Sequence, residues 1–402
     1  MNLTRVWSGS YREVPGNFNI SNNTLAPPSD RFVSPWMRSE TPGALDGGNR
    51  FDLNRWNPVY FARLHDFLAQ ASRRNVVVEI DLFCTFYADS MWNASPLNGA
   101  NNVNRIGDVP RSQVLSMEHR DLLEIEDKLV RKIVTEVNSF DNVYFEICNE
   151  SYWGKLSPEW QRHISGLIVN TEQGLPKRHL ISQNVANGSK KIVNPDPNVS
   201  IFNFHYSRPP QSVAMNYDLN RVIGNNETGF DGQSDSTYRI QGWAFLAAGG
   251  ALYNNLDYSF TVGHESGDYR FAKETPGGGG GELRRQLGIL ARFFQSLDLP
   301  ELRPAGDVIR LNSPDTANLS ALATPGKVYI AYIYRAAVEP APKHSSEIVI
   351  KLPPGNYKAS WIEPKTGAVL NSSEFEQENG TRTLSSPPYS EDTVLKIVPA
   401  PS

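Results

Sequence analysis

Cysteine is nearly absent from this sequence, because the 402 residues include only Cys84 and Cys148. Two cysteines cannot form a disulfide-rich scaffold, and they supply too few thiolates for a structural zinc site. Each lies within a short apolar run. We therefore expect two buried thiols, joined by a disulfide only if their strands lie close together.

A strong excess of one charge and long apolar runs are lacking as well. The formal net charge of −4 argues against a nucleic-acid partner, which would require a basic surface. No window approaches the roughly 18 consecutive apolar residues of a membrane-spanning helix. The N-terminal residues contain no basic region followed by an apolar run, so no signal peptide is recognised. Secretion or a periplasmic location would require that a leader has been removed.

Several short motifs of other enzyme classes are missing. The glycine run at residues 277–281 lacks the Lys-Ser/Thr of a phosphate-binding loop, and it predicts a flexible hinge instead. Gly-x-Ser-x-Gly does not occur, which argues against hydrolysis of esters or amides through an activated serine. His264 and Glu265 are neighbours, but two candidate ligands do not define a metal site. We expect neither a metal nor a cofactor.

Short apolar runs alternate with amphipathic segments through the first three quarters of the chain, which predicts parallel β/α architecture. The predicted strands cover residues 3–7, 76–83, 143–147, 180–183, 200–204, 221–223 and 251–256. The predicted helices cover residues 57–74, 120–138, 158–172, 237–248 and 282–297. Residues 8–50 are rich in Pro, Gly, Asn and Ser, and we predict a long irregular segment there.

The sequence changes character after Pro304. Five short strands are predicted at residues 308–311, 328–334, 347–352, 357–362 and 393–398, without helical periodicity between them. This pattern predicts a small all-β sandwich. The chain is therefore divided into a (β/α) barrel domain at residues 1–304 and a C-terminal β-sandwich domain at residues 305–402.

Two carboxylates follow predicted strands, Glu150 in VYFEICNES and Glu227 in VIGNNETGF. The carboxyl ends of barrel strands form the active-site face, so both side chains can be directed at one point. Glycoside hydrolysis uses such a pair, with one carboxyl group protonated for the leaving oxygen and the other ionised to attack the anomeric carbon. A single Glu at a strand end is more often a surface salt-bridge partner, so the pair carries the hypothesis.

The segment VYFEICNES resembles the fourth-strand Asn-Glu motif of clan A glycoside hydrolases, which include the family 5 cellulases and mannanases. The resemblance covers roughly residues 1–300 in layout and implies a (β/α)8-type TIM barrel acting on carbohydrate. It implies that Glu150 is the acid/base, that Glu227 is the seventh-strand nucleophile and that Asn149 holds the sugar 2-hydroxyl.

The resemblance extends to three further positions. Arg5 matches the second-strand arginine that supports the nucleophile, and a guanidinium can hold Glu227 ionised through a charge-assisted bond. His205 and Tyr206, in FNFHYS, match the sixth-strand pair in which Tyr bonds the nucleophile. Each residue also has a purely structural alternative. Arg5 is then a surface arginine, His205 a hydrogen-bonded core histidine and Tyr206 a packed aromatic ring. For Asn149 the alternative is a turn cap.

Sugar sites also use aromatic rings as platforms for the C–H faces of pyranoses. Six aromatic residues lie at or after predicted strand ends: Trp7, Trp36, Tyr152, Trp153, Tyr253 and Tyr258. Each of them alone is more often core packing. Trp153, three residues after Glu150, is the best candidate for the leaving-group side. Asn255 and Asp257 are candidates for binding sugar hydroxyls or for surface hydrogen bonding.

The sequence departs from the family pattern in three places. Only seven barrel strands are visible, and we expect the first strand of the eight to be lacking. Tyr253 stands in for the tryptophan usually found near the last strand, and Ser151 replaces the usual proline after Asn-Glu. The segment ASWIEPKTGAV resembles a hairpin of the small β-domains that pack on barrel hydrolases, with carbohydrate binding as the alternative role.

The sequence thus predicts a retaining glycoside hydrolase that cleaves β-linked glycosides or polysaccharides by double displacement. The alternative from another class is a catalytically inactive carbohydrate-binding protein on a hydrolase-like scaffold. Predicted substrate-binding residues are Arg5, Asn149, Trp153, His205, Tyr206 and Tyr253. The expected partner is a carbohydrate, with neither nucleic acid nor membrane, and the oligomeric state is not defined.

Overall fold

The computed structural model describes residues 2–312, 317–335 and 342–400. The first half contains β1 (Leu3–Trp7), β2 (Trp36–Pro42), β3 (Asn49–Trp56), α1 (Pro58–Ser72), β4 (Val77–Asp81), α2 (Asp89–Ala94), α3 (Arg120–Val137), β5 (Val143–Glu146), α4 (Pro158–Glu172), β6 (Ile181–Asn187) and β7 (Ile201–His205). The second half contains α5 (Gln211–Asn216), β8 (Val222–Glu227), α6 (Asp235–Ala247), β9 (Leu252–Tyr253), α7 (Gly281–Gln295), β10 (Arg303–Pro304), β11 (Ile309–Leu311), β12 (Asn318–Thr324), β13 (Val328–Tyr334), β14 (Glu347–Leu352), β15 (Gly355–Ile362), β16 (Val369–Gln377), β17 (Gly380–Ser385) and β18 (Asp392–Pro399).

A curled parallel sheet of TIM-barrel type dominates the first three quarters of the chain. Its seven strands lie in the order β1-β4-β5-β6-β7-β8-β9, and all seven coincide with predicted strands. The sequence of strand and following helix explains this order, because a parallel neighbour can be reached only through a crossover connection. Among the described helices, none combines the length and the apolar character needed to cross a membrane.

The long helices begin where side chains can satisfy their free backbone N–H groups. Asn57 accepts a hydrogen bond from the backbone of Val59 at the start of α1, and Ser157 does the same for Trp160 in α4. A proline occupies the first turn of each of these two helices, where its missing N–H costs nothing. The buried residues of α3 recur every three or four positions, so one face of this helix packs inward.

The irregular segment predicted for residues 8–50 was wrong in part, because β2 and β3 form an antiparallel hairpin there. The hairpin buries Trp36, Phe51 and Leu53, while most of the other strand positions carry polar side chains. Only Phe51 and Leu53 show the alternation of a half-buried strand. The polar residues around them hid this short signal in a segment rich in Pro, Gly and Asn.

Clustering of Cα positions divides the chain into two compact units. The first unit comprises residues 1–186, 192–204 and 261–263, and the second comprises residues 187–191, 205–260 and 264–402. The first unit therefore holds most of the parallel sheet, and the second holds β8 and β9 together with the C-terminal strands. The domain boundary proposed at residue 304 stays a prediction.

The first unit contains both cysteines. Cys84 and Cys148 are buried free thiols, which confirms the sequence expectation. Burial in apolar surroundings raises the pKa of both thiols. Both thiols therefore pack like small apolar side chains, close to the carboxyl ends of β4 and β5.

Antiparallel sheets form the C-terminal part of the second unit. A six-stranded sheet has the order β10-β12-β13-β18-β15-β16, and a three-stranded sheet has the order β11-β14-β17. An apolar core lies between their inner faces, formed by alternating residues such as Ile350, Ala359 and Ile397. The sequence did not indicate β12, β16 or β17. Most side chains of β16 and β17 are exposed, so neither strand shows an apolar alternation.

Two helices of the second unit pack against the six-stranded sheet. Trp243 of α6 stacks on Tyr332 of β13 with ring centroids 5.6 Å apart, and Phe294 of α7 joins the same apolar cluster. Arg239 of α6 is 1% exposed and binds both carboxylate oxygens of Asp392 in β18 at 3.0 Å. The helices and the strands thus share one core and one buried ion pair.

The glycine run at residues 277–281 packs closely within the second unit. A Cβ atom at Gly277 would lie 1.7 Å from the carbonyl oxygen of Gly229, and one at Gly279 would lie 2.1 Å from the Asp257 carboxylate. Gly279 also has a φ of 147°, which other residues rarely adopt. Close contacts with neighbouring atoms therefore explain why glycine occupies these positions. The flexible hinge predicted from the sequence is not needed to explain them.

We predict that Arg239→Met lowers the free energy of unfolding by about 3–5 kcal/mol, because it leaves the buried Asp392 carboxylate without its cation. Denaturant titration followed by fluorescence measures the loss. The matched control is Arg285→Met on α7, which removes an ion pair with Glu282 that is exposed on both sides and should have a much smaller effect. Equal losses for the two variants would argue against this role of Arg239.

Glu126 of α3 is a second buried charge-bearing group, in the first unit. It is 0% exposed, and the Trp160 indole N–H donates to Oε2 at 3.0 Å. Burial raises the pKa of Glu126 well above its ordinary value. Its stabilising contribution is therefore complete below the pKa of the unfolded chain and is lost as the pH rises toward the folded-state pKa.

We predict that Glu126→Gln makes the protein more stable than the parent at pH 8, with a difference that shrinks toward pH 4.5. Glutamine keeps an acceptor for Trp160 and never ionises. Urea denaturation midpoints at the two pH values provide the measurement. Glu124→Gln, on the exposed side of the same helix, is the control and should show no such dependence. A pH-independent difference for Glu126→Gln would refute the explanation.

Candidate active site

A buried ionic network lies at the β1 end of the parallel sheet, within the first unit. The register pairs Arg5 with Glu79, and it pairs Asp81 with Glu146 two residues further along. Residues two apart on a strand face the same side. The Arg5 guanidinium therefore meets three carboxylates: it lies 3.1 Å from Glu79, 3.0 Å from Asp81 and 3.5 Å from Glu146.

Neutral donors from the neighbouring strands complete this network. Tyr144 donates its hydroxyl to Glu79. Ser182 donates to Glu146 Oε2 at 3.0 Å, and the Asn203 amide donates to the same oxygen at 2.8 Å. Polar side chains thus cross the sheet from β4 to β7, where each carboxylate has a donor that water would otherwise provide.

The charges of this network do not balance when every group is ionised, because one guanidinium faces three carboxylates. The pKa of Asp81 is raised to about 7, because burial and the charge of Glu79 together outweigh the opposing effect of Arg5. One carboxyl proton is therefore retained in the folded state below neutral pH. The carboxylate oxygens lie within 4.8 Å of one another, the spacing of a metal site, but Arg5 already supplies a cation there.

Asn149 links this network to the predicted acid/base residue. Its amide oxygen accepts from Arg5 at 2.5 Å, and its amide nitrogen donates to the Tyr87 hydroxyl at 3.0 Å. An isolated parallel bridge to Cys84 extends the pairing of β4 and β5 beyond their ends. The structure therefore brings Arg5 and Asn149 together, and their roles at a sugar site stay predictions.

Glu150 follows Asn149 in a backbone conformation that non-glycine residues rarely adopt, with a φ of 50°. Three contacts hold it there. Its N–H donates to Asn184 Oδ1 at 3.1 Å, its carbonyl accepts from Thr85 at 3.0 Å, and Tyr152 donates to its carboxylate at 2.6 Å. The side chain is 7% exposed. Strain of this kind persists only where surrounding contacts over-determine it, and it is concentrated at functional sites.

Glu227 is the last residue of β8, in the second unit, and it is 8% exposed. The Tyr206 hydroxyl donates to Glu227 Oε1 at 2.7 Å, and His205 Nδ1 lies 3.5 Å from the same oxygen. The Tyr206 backbone N–H also donates to the Glu227 carbonyl at 2.9 Å. The structure thus brings His205, Tyr206 and Glu227 together, as the sequence suggested.

Tyr206 and His205 lie where the chain turns after β7. Tyr206 has a φ of 51°, which turns the chain directly after β7. The His205 ring is 0% exposed and lies edge-on to Tyr206, with centroids 5.8 Å apart. These contacts are those of a buried core histidine, and the site-lining role of His205 stays a prediction.

Tyr253 is held by its hydroxyl within the second unit. It lies 3.0 Å from Thr228 Oγ1 and donates to the Tyr238 carbonyl at 2.9 Å. Burial raises its pKa. Asp257 is also engaged, accepting from Arg284 at 2.7 Å. The sugar-binding role suggested for Tyr253 stays a prediction.

Three of the remaining aromatic candidates differ in their exposure to solvent. Trp36 and Tyr258 are buried, in agreement with core packing. Trp153 is 62% exposed and directly follows Tyr152, the donor to Glu150. Of the predicted platforms, Trp153 is thus the one with a large open ring face. The predicted leaving-group role of this residue is not tested by its exposure alone.

Sequence reasoning missed most of the ionic network. Glu79, Asp81 and Glu146 lie within predicted strands, and the sequence analysis singled out none of them as a site residue. The signal was present, because VVEID places two carboxylates two residues apart on one face of a buried strand. Tyr87 gave no signal, since it lies in a connection whose path depends on the fold, and Asn184 of β6 belongs to no motif that marks it.

The comparisons identify the fold. Over its whole length the chain resembles a protein of Bacteroides vulgatus provisionally described as a glycoside hydrolase, with 16% identity, 73% of that chain covered and a TM-score of 0.65. A further structure described as a glycoside hydrolase matches 99% of this chain and 86% of its own, at 12% identity and a TM-score of 0.63. A family 5 glycoside hydrolase of Bacteroides vulgatus matches 87% of this chain and 79% of its own, at 11% identity and a TM-score of 0.59.

The chain therefore has the fold of a clan A-like glycoside hydrolase, a TIM-barrel type with additional β-sheets. The low identities establish the fold and not the activity. No family model matches the chain. No curated protein matches it in sequence.

We predict that Asp81→Asn makes the stability of the protein less dependent on pH. The folded-state pKa of Asp81, about 7, lies above the ordinary value of about 4. The parent therefore loses stability as the pH rises from 4 through 7, by about 2 kcal/mol between pH 5.5 and 8. The asparagine variant should not show this part of the loss.

Urea titrations of both proteins at pH 5.5 and 8 provide the measurement. Asp141→Asn, a substitution at a carboxylate that is 82% exposed, is the control and should follow the parent. If Asp81→Asn and the parent lose the same stability over this range, Asp81 does not retain a proton in the folded state.

Proposed function

We propose that this protein is a retaining glycoside hydrolase that acts on β-linked glycosides or polysaccharides, with Glu150 as acid/base and Glu227 as nucleophile. The observation that carries the proposal is the position of both residues at the carboxyl ends of strands β5 and β8 of one parallel sheet. In barrels this edge forms the active-site face. The glycoside hydrolase fold supports the same assignment.

The surroundings of Glu227 support its role as the nucleophile. Its carboxylate accepts a hydrogen bond from Tyr206, and a neutral hydroxyl can orient a carboxylate without neutralising it. In the first step Glu227 attacks the anomeric carbon while the bond to the leaving oxygen breaks, which yields a glycosyl-enzyme ester. Arg5 is proposed to support the negative charge of the nucleophile.

The surroundings of Glu150 support its role as the acid/base. Its side chain is nearly buried, and Tyr152 fixes the direction of its carboxyl group. Glu150 donates its proton to the leaving oxygen, and it then removes a proton from the water that hydrolyses the ester. This double displacement requires carboxyl groups about 5–5.5 Å apart. Asn149 is proposed to bind the 2-hydroxyl of the sugar under attack.

We further propose that the seven-stranded parallel sheet belongs to a (β/α)8-type barrel. The arginine of β1 then corresponds to the second-strand arginine of the family, and β5, β7 and β8 correspond to the fourth, sixth and seventh strands. Trp153, His205 and Tyr253 are proposed to line the carbohydrate site. The strands from residue 305 onward are proposed to form a β-sandwich domain that packs on α6 and α7.

We predict that Glu150→Gln and Glu227→Gln each lower kcat at least about a thousandfold on the 4-nitrophenyl β-glycoside that the parent hydrolyses, since each removes one half of the chemistry. Glu159→Gln, an exposed carboxylate on α4, is the matched control and should retain parent activity. Proton NMR of the first product should show the β-anomer.

Azide separates the two roles. With azide, Glu227→Gly should give the α-glycosyl azide, because the small anion replaces the nucleophile from the opposite face. Glu150→Gly should give the β-glycosyl azide after normal formation of the ester. Full activity in either glutamine variant, or an inverted product, would overturn the assignment. Binding of oligosaccharide by the parent without any product would favour the inactive carbohydrate-binding scaffold.

A further inference from the structure

The segment between β1 and β2 contains a loop, residues 14–24, whose base is closed by hydrogen bonds. The Glu13 N–H donates to the Leu25 carbonyl at 2.8 Å, and the Asn23 amide donates to the Glu13 carboxylate. Tyr11 donates to the same carboxylate at 3.3 Å. Tyr11 and Glu13 are buried, so the loop starts and ends at a fixed position in the first unit.

The loop presents an aromatic ring at its tip. Phe18 lies in a single helical turn, Asn17–Asn19, and has a φ of 58°, the left-handed region. A phenylalanine rarely adopts this conformation, so contacts elsewhere must hold it. Phe18 is 37% exposed, and Tyr87 packs edge-to-face against its ring with centroids 5.5 Å apart.

Tyr87 connects this ring to the proposed catalytic residues. Its hydroxyl accepts the Asn149 amide at 3.0 Å, and Asn149 directly precedes Glu150. The Tyr87 ring also contacts Tyr11, with centroids 6.2 Å apart. Phe18 therefore belongs to an aromatic group with Tyr87 and Tyr11, and a hydrogen bond joins this group to Asn149. The partly exposed Phe18 is the member farthest along this series of contacts from Asn149.

We propose that Phe18 and Tyr87 form an aromatic subsite that binds a further sugar ring of a β-linked oligosaccharide on the glycone side of the cleaved bond. The inference rests on the proposed function. Asn149 is assigned to the 2-hydroxyl of the sugar under attack, so a ring beside Tyr87 belongs to that sugar or to the next one along the glycone. The C–H face of a pyranose is apolar, and an open aromatic ring offers it a matching surface. Substrates with several glycone sugars therefore gain binding that a monosaccharide glycoside cannot use.

The test compares Phe18→Ala with the parent on two 4-nitrophenyl β-glycosides that carry one and three sugar rings. Gluco- and manno-configured pairs are both used, and the pair that the parent hydrolyses is evaluated. The variant should lower kcat/KM for the trisaccharide about tenfold more than for the monosaccharide, a loss typical of one stacked ring. The loss should appear in KM, and Phe18→Tyr should restore the parent value.

Phe67→Ala on α1 is the control, because Phe67 is 39% exposed and lies on a helix outside the site. It should keep the parent preference for chain length. Equal losses of Phe18→Ala on both substrates would assign Phe18 a merely structural role and overturn the subsite, as would equal activity of variant and parent. Thermal unfolding verifies that both variants are folded.

Failure of the subsite can be distinguished from failure of the proposed function. If the parent hydrolyses neither series, calorimetric titration with cellotetraose and mannotetraose replaces the rate measurement. Weaker binding by Phe18→Ala than by the parent, about tenfold, then supports the subsite on a non-hydrolytic protein. Equal affinities of the two proteins, or no binding by the parent, overturn it.

Discussion

The first unit depends on a single buried cation, the Arg5 guanidinium. Glu79, Asp81 and Glu146 could not share the interior of a sheet without it, because a buried carboxylate needs a cation, a proton or several donors. Arg5 also fixes the amide oxygen of Asn149, and Glu150 follows directly in a strained conformation. The same guanidinium therefore compensates the buried carboxylates and helps to orient the proposed acid/base. A change to one of these contacts alters the other.

The regular parts of the fold could be predicted from the sequence. Strand β1 and helix α4 have the predicted bounds, because an apolar run and a proline-started amphipathic segment mark them clearly. The β2–β3 hairpin was missed, since its polar face gives no periodicity over most of its length. The exposed strands β16 and β17 were missed for the same reason. Pairing through backbone hydrogen bonds leaves little trace in a sequence when few side chains of a strand are buried.

The predicted site residues could be found because they follow strands in recognisable motifs. Within each unit the structure gives these residues mutual contacts, Arg5 with Asn149 and Tyr206 with Glu227. The supporting residues could not be found in the same way. Tyr87 and Phe18 lie in connections and Asn184 lies in β6, and the neighbours of all three are determined by the path of the chain in space. The roles of all these residues in catalysis or binding are proposals that sequence and contacts motivate together.

The shared core of the C-terminal strands and helices α6 and α7 limits how this protein can be shortened. A chain ending at residue 304 would uncover Trp243 and Phe294, which pack on residues of β12, β13 and β18. It would also leave Arg239 without the carboxylates of Glu391 and Asp392. A truncated protein would therefore expose a large apolar surface with an uncompensated positive charge at its centre. It would tend to aggregate, so it could not be used to study the barrel alone.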